Sequence, residues 1–169
     1  MRDKTRRERY DKKKTTAITF PIDIVCINFQ HDGNLGYLIR SAACFGASRV
    51  HVIGTVPPRS ILDPLSGSLY DYVKIKQHSS PMAFLDYVRD KEIGPVALVV
   101  GNEEIGIPIE ILKNSKKIHI PMPGIGYCLN TSQTANIILY ETVKQYQAQK
   151  EHEAKRQIEW DEQGWYNLP

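Results

Sequence analysis

Cysteine is scarce. Only Cys26, Cys44 and Cys128 occur in 169 residues, an odd set that shares no CxxC or Cys/His ligand spacing. That excludes a disulfide-stapled domain and a structural zinc, and implies reduced thiols. Long apolar runs are missing too. Ala97 to Val100 and Ile137 to Tyr140 fall far short of the roughly 20 residues that a membrane-spanning helix needs. The first residues carry no apolar signal core, so a soluble, cytoplasmic protein with no membrane partner is expected. A GxGxxG turn is also absent: Asn28 to Asn34 offers a lone Gly33, with Gly36 beyond it. This excludes a dinucleotide-binding or ordinary Rossmann reading, which needs glycines for a tight turn and for close approach to a pyrophosphate.

What is present suits one globular domain. A hydrophobic content of 41% over this length buries a core without metals or disulfides. The net charge of +3 conceals an asymmetry: residues 1–14 carry eight Lys/Arg against three Asp/Glu, a net +5, and the remaining 155 residues sum to −2. Such a segment can neutralise phosphates and release their counterions; the plain alternative is a solvated terminus. Residues 1–20 are therefore read as a basic, flexible tail, 21–147 as the folded domain, and 148–169 as a helix end and tail.

Ile22 to Ile27 reads as a buried strand, bounded by Pro21 and the polar Asn28 to Asp32. A helix from about Leu35 to Phe45 and a strand from Arg49 to Ile53 complete a βαβ unit, so a parallel sheet in an α/β fold is the default. Thr55 to Tyr70, with Pro57, Pro58, Pro64 and Gly67, reads as a long irregular substrate loop. Further along come an edge strand at Val73 to Lys76, a helix at Pro81 to Lys91, a strand at Val96 to Val100, a short helix after Pro108 and a strand at Ile118 to Ile120. A last helix runs from Gln133 to about Trp160. Its far half is almost wholly polar, and Trp160 and Trp165 predict that the tail folds back on the body or across a dimer.

Three of these strands end in loops of one design. Asn34-Leu35-Gly36 opens a helix containing Arg40 and Gly46. Gly101-Asn102-Glu103 with Gly106 puts a carboxylate in a turn after a buried strand. Ile120-Pro121-Met122 leads through Gly124 and Gly126 to Leu129-Asn130 and into the final helix, where Tyr140-Glu141 ends the motif. Strand ends bearing polar groups form one site.

With these motifs in order, the stretch from about Ile22 to Tyr146 resembles the SpoU-type RNA ribose methyltransferases of the SPOUT class. The resemblance implies a parallel-sheet SPOUT fold with a C-terminal trefoil knot, an exception to the usual avoidance of knots. It also implies a homodimer, S-adenosylmethionine (AdoMet) as cofactor, no metal, and methylation of a ribose 2′-hydroxyl in tRNA or rRNA. Carried across position by position, Arg40, Glu103 and Asn130 become catalytic residues. Gly101, Ile120, Leu129 and Ser132 line the AdoMet pocket, and Asn34 and Arg40 contact substrate. Two departures stand against the pattern: Cys128 replaces the serine before Leu-Asn, and only Glu92 to Pro95 join a helix to a strand where an added strand and loop are usual.

Methyl transfer from a sulfonium to a hydroxyl is an in-line displacement, so alignment and electrostatics should supply most of the catalysis. No histidine falls on the motif loops to take the 2′ proton. Arg40 is ill suited to that task, since a guanidinium has a pKa above about 12; it reads better as a clamp on phosphate and 2′-oxygen, with an RNA phosphate or water receiving the proton. Glu103 is expected to orient Arg40 through a charge-assisted pair, or else to cap the turn before Ile105 to Leu112. Asn130 can cap the last helix as well as contact substrate. Cys128 has no His or Asn partner spacing that would make it a nucleophile. The rival reading is a non-catalytic RNA-binding protein whose short 92–95 connection has weakened AdoMet binding.

Overall fold

The computed structural model describes the backbone of residues 5–90 and 96–163 and the side chains of 5–90 and 96–154. The Glu92 to Pro95 connection, Trp165 and the side chain of Trp160 lie outside the described residues. Four parallel strands form the sheet: β1 (Phe20–Ile27), β2 (Ala47–Ile53), β3 (Ile75–His78) and β4 (Val96–Val100), in the order β3-β2-β1-β4. Among the described residues six α-helices accompany them: α1 (Arg6–Lys14), α2 (Asp32–Phe45), α3 (Arg59–Leu65), α4 (Pro81–Asp90), α5 (Ile109–Leu112) and α6 (Thr131–Gln163).

The two-residue period of a strand sorts β1 between two cores. Ile22, Ile24 and Cys26 pack with Leu38, Ile39 and Ala42 of α2 and with Ala135, Leu139 and Val143 of α6. Val25 and Ile27 turn to the opposite face, against Ile53, Phe84 of α4 and Ile111 of α5. Both faces of the central strand are thus covered, as a parallel sheet requires. The α2 helix ends at Gly46, whose φ of 69° is left-handed, and its N–H returns to the Ala42 carbonyl. Gly36 meets a tighter demand. An added Cβ there would lie 2.3 Å from the Leu65 Cβ, so α2 and α3 approach to within glycine distance.

Three differences from the sequence reading are informative. The basic segment expected as a flexible tail contains α1, closed by a Thr5/Glu8 capping box and docked on the body: Arg7 Nη2 lies 3.0 Å from Asp71 Oδ2 and Tyr10 Oη donates to the Gly67 carbonyl at 3.2 Å. The proline-rich stretch read as an irregular loop holds α3, with Pro64 inside its last turn, where the missing N–H removes one bond from the helix. Ile118 to Ile120 forms no strand. Pro121 and Pro123 remove two backbone donors beyond that short run, and it has no ladder partner.

A buried polar relay crosses the α4 side of the sheet. His51 Nε2 lies 3.2 Å from Asp23 Oδ2, and His51 Nδ1 lies 2.9 Å from His78 Nε2. With a carboxylate accepting, His51 carries its proton on Nε2 and His78 supplies an Nε2–H to His51 Nδ1. Burial beside Phe84 and Tyr87 disfavours the imidazolium forms. It lowers His51 against the opposing pull of Asp23, and it lowers His78 to about 4, with the neighbouring His51 adding to the effect.

Candidate active site at the carboxyl ends of β1 and β4

From β1 the chain leaves toward β2 on one side, while β4 lies on the other. In open α/β sheets a crevice opens where neighbouring strands send their connections opposite ways. Two loops meet there, 28–34 after β1 and 101–106 after β4. Asn102 organises the second: its N–H donates to the Gly106 carbonyl at 2.9 Å, and its Oδ1 accepts from the N–H groups of Glu104 and Ile105 at 2.9 and 3.1 Å. Its Nδ2 reaches across to the Asn28 carbonyl at 2.7 Å. Gly101 is glycine because Gly106 folds back on it; a Cβ would sit 2.6 Å from the Gly106 carbonyl carbon.

This turn aims Glu103 at the start of α2. Its carboxylate accepts from Gln30 N–H at 2.9 Å, from His31 N–H at 3.4 Å and from Asn34 Nδ2. His31 provides no side-chain cap for α2; an acid from another loop takes the amides of the two residues that lead into the helix and faces its positive end. Desolvation is the largest single influence on Glu103 and raises its pKa. The donors together outweigh it and hold the carboxyl below its ordinary value.

The network continues through Asn34 into the third motif. Asn130 Nδ2 donates to Asn34 Oδ1 at 3.0 Å, and Ser132 Oγ lies 3.4 Å from the same oxygen. Asn130 Oδ1 accepts from Ser132 N–H at 2.9 Å and from Ser132 Oγ at 2.7 Å. Asn130 therefore caps α6 and ties it to α2 at once. Thr131 Oγ1 completes the closure by donating to the Gly101 carbonyl at 2.9 Å.

Glu103, Asn34, Asn130, Ser132 and Gly101 are thus brought together, whereas Arg40 stands elsewhere. Six residues past Asn34 on α2, it is exposed, and its side chain forms no hydrogen bond or ion pair with the described residues. Its guanidinium lies against Gly67, where an added Cβ would be 3.5 Å from Nη1. Glu103 spends its hydrogen bonds on the α2 N-terminus and none on Arg40, so the expected Glu103–Arg40 pair is absent. Asn102, not Glu103, caps the following turn. Ile120 and Leu129 lie on the extended segment 116–129. Ile125 there is 104% exposed and Tyr127 92%, and its backbone groups make no hydrogen bonds with the described residues.

Asn102, Asn28 and Thr131 were missed as organisers. The signal for Asn102 was its own type, since asparagine after a strand favours an Asx turn. Burial pushes the Cys26 thiol up, so it is no nucleophile. No group of His, Cys, Asp or Glu among the described residues could hold a metal, and no described helix is long and apolar enough to cross a membrane.

Comparison with known proteins agrees with this geometry. Residues 72–140, which contain the second and third motifs, match the model of the SpoU rRNA Methylase family. Over that stretch the chain is similar to the SpoU family. A stretch of 52 residues is 50% identical to a tRNA (guanosine(18)-2′-O)-methyltransferase of Aquifex aeolicus (strain VF5), covering 30% of this chain and 25% of that protein. The aligned region thus spans a quarter of the curated relative's length. Among solved structures, the A. aeolicus TrmH/SpoU tRNA modifying enzyme superposes with a TM-score of 0.71 at 23% identity, covering 85% of each chain. An AdoMet-bound rRNA methyltransferase from Sinorhizobium meliloti superposes with a TM-score of 0.66 at 23% identity, covering 74% of this chain and 56% of that one. At such identity these structures establish the SpoU-type fold, and the parallel α/β architecture expected from the motifs is the one found.

Proposed function

We propose that the SpoU-type chain is an AdoMet-dependent RNA methyltransferase that acts on a ribose 2′-hydroxyl of tRNA or rRNA, in the cytoplasm and as a homodimer. One observation carries the reading: side chains from all three motif loops, Asn34, Glu103 and Asn130 with Ser132, are joined in one hydrogen-bonded cluster at the crevice of the sheet. The identity with a named tRNA 2′-O-methyltransferase over 52 residues supports it, and the knotted course of the C-terminal segment belongs to the same proposal.

The residues present fit the cofactor. Free backbone N–H and C=O groups over 116–129, ending beside the Gly101 carbonyl and the buried Ser132, offer what an adenosyl group needs for recognition. Gly101, Ile120, Leu129 and Ser132 would hold it. Bound there, AdoMet supplies a methyl group on an electron-poor sulfonium.

The protein's own part is positioning. Glu103, saturated by donors, is a frame for the α2 N-terminus rather than a base. Asn34 and Asn130 hold one another and the entrance of α6. Arg40 keeps five N–H donors free for a phosphate and the reacting 2′-oxygen, lowering the cost of alkoxide formation. An RNA phosphate or water receives the proton. Calorimetry with AdoMet and mapping of 2′-O-methyl groups in total RNA, with and without this protein, test the reading. Binding in the micromolar range together with a ribose site that depends on the protein is expected. No AdoMet binding up to millimolar would replace it with the non-catalytic RNA-binding module.

A further inference from the structure

Gly36 and Arg40 stand one helical turn apart on the same face of α2, and α3 meets that face at its last residue. A Cβ on Gly36 would collide with Leu65, so the end of α3 lies close against α2. The chain then leaves α3 through a Schellman turn. Gly67 N–H donates to the Pro64 carbonyl at 3.0 Å and Ser68 N–H to the Asp63 carbonyl at 2.8 Å, with Gly67 at φ 69° and Ser68 at φ 66°. Ser66, wholly buried, locks the turn from within: its Oγ donates to the Asp63 carbonyl at 2.9 Å and accepts from Leu69 N–H at 3.2 Å. From outside, Tyr10 of α1 donates to the Gly67 carbonyl at 3.2 Å.

The Arg40 side chain lies on this turn. A Cβ built on Gly67 would be 3.5, 3.6 and 3.8 Å from Arg40 Nη1, Cζ and Nε. These three lengths place that point over the face of the guanidinium rather than at its edge. All five N–H donors lie in the guanidinium plane, so contact on the face occupies none of them. The acids that flank the turn in sequence do not hold Arg40 either: Asp71 lies 2.5 Å from Arg59 and 3.0 Å from Arg7, and Asp63 lies 3.8 Å from Arg59.

We propose that Gly67 is a positioning residue: the locked 66–68 turn is a plate on which the Arg40 guanidinium lies flat, aimed but with its donors unspent. The proposal rests on the methyltransferase reading for what Arg40 does and adds how it is held. An exposed arginine loses rotamer freedom when a substrate fixes it; one already laid on a rigid turn loses less. An ion pair would also fix the side chain, but at the expense of the donors that the reaction uses. The left-handed φ alone does not demand glycine at 67, since Ser68 takes the same conformation beside it, and a methyl there would make ordinary contact with Arg40. A branched side chain would take the space of the guanidinium.

The test compares Gly67→Leu with Gly67→Ala in the full chain, and repeats Gly67→Leu beside Arg40→Lys. Nitrogen relaxation of the Arg40 Nε–Hε group in arginine-labelled protein reads its order. Methyl transfer from labelled AdoMet to total RNA prepared without the protein reads turnover. In the wild type Arg40 should be ordered, with an order parameter of about 0.6 or higher. Gly67→Leu should drop it well below that value, and Gly67→Ala, which carries the same backbone strain, should change it far less. Turnover should fall about tenfold or more in Gly67→Leu, but less than about twofold when the same change is made beside Arg40→Lys, whose ammonium has no flat face to lay down. Equal losses in the two backgrounds would make Gly67 merely structural and overturn the plate. So would an Arg40 as mobile in the wild type as in Gly67→Leu, and this measurement decides alone should Arg40→Lys turn over too slowly to read. An ordered Arg40 in a protein that methylates no ribose would sink the methyltransferase reading and leave the plate standing. Turnover with a freely mobile Arg40 would do the reverse.

Discussion

The cluster around Glu103 and the surroundings of Arg40 are opposites. In the first, donors and acceptors from three loops close on one another. In the second, a guanidinium forms no hydrogen bond with the described residues and lies beside a bare glycine backbone. A group already bonded to its own protein gives up those bonds before it can serve a substrate. A group left unbonded meets the substrate without that loss. On the proposed reading the cluster serves shape and Arg40 serves chemistry, a division that the residue types alone did not reveal.

Breaking the division at its reactive end should have the largest effect. Arg40→Ala is expected to reduce 2′-O-methyl formation by about a hundredfold or more with little change in the melting temperature; a variant that keeps most of its turnover removes Arg40 from the chemistry. Glu103→Ala should act first on stability. It strands amides at the α2 N-terminus and costs about 1–3 kcal/mol in denaturant unfolding; an unchanged unfolding midpoint would show that the carboxylate frames nothing. Double-mutant cycles sharpen the boundary. Asn34→Ala with Asn130→Ala should couple by about 0.5 kcal/mol or more, whereas Arg40→Ala with Glu103→Ala should be additive within about 0.5 kcal/mol. Strong coupling of the second pair would restore the Glu103–Arg40 partnership.

The smallest effect is that of pH on the opposite face of the sheet. His51 and His78 are harder to protonate folded than unfolded, so the unfolded chain binds more protons between its ordinary histidine value near 6.5 and the folded value of about 4 for His78. Stability should therefore fall as pH drops through that window. Glu103, held low in the fold, adds a loss in the same direction below the ordinary carboxyl range. Thermal melts from pH 7 to pH 4 should show the decline, and His78→Asn should flatten its upper part. A flat profile in the wild type would mean that the two histidines are not buried as described.

Much of the fold was legible because periodicity reports burial. Ile22, Ile24 and Cys26 alternate with Val25 and Ile27, and Leu35, Leu38, Ile39 and Ala42 repeat at helical spacing; both patterns reappear as the two cores. The motif loops were legible as positions but not as bonds, since Glu103 could equally have capped its own turn, paired with Arg40 or reached α2. Only the backbone course, set by Asn102 and Gly106, decides among these. The α3 helix was hidden by its prolines, and the docking of α1 depends on Asp71, 64 residues away from Arg7, a pairing that local pattern cannot express. Segment 116–129 misled for a related reason, because a short β-branched run reads as a strand whether or not an edge receives it.

The attachment of α1 sets the working range of the turn it holds. None of its nine residues is buried, and what holds it is two ring edges at 5.7 Å plus surface ion pairs and hydrogen bonds that water and salt screen. A peptide of that length does not stay helical by itself in water, so coiling and attachment form a single equilibrium, tilted by ionic strength. Concentrated salt should unlatch and melt this helix together, an effect visible as faster trypsin cleavage at Lys12 to Lys14 while the sheet remains intact.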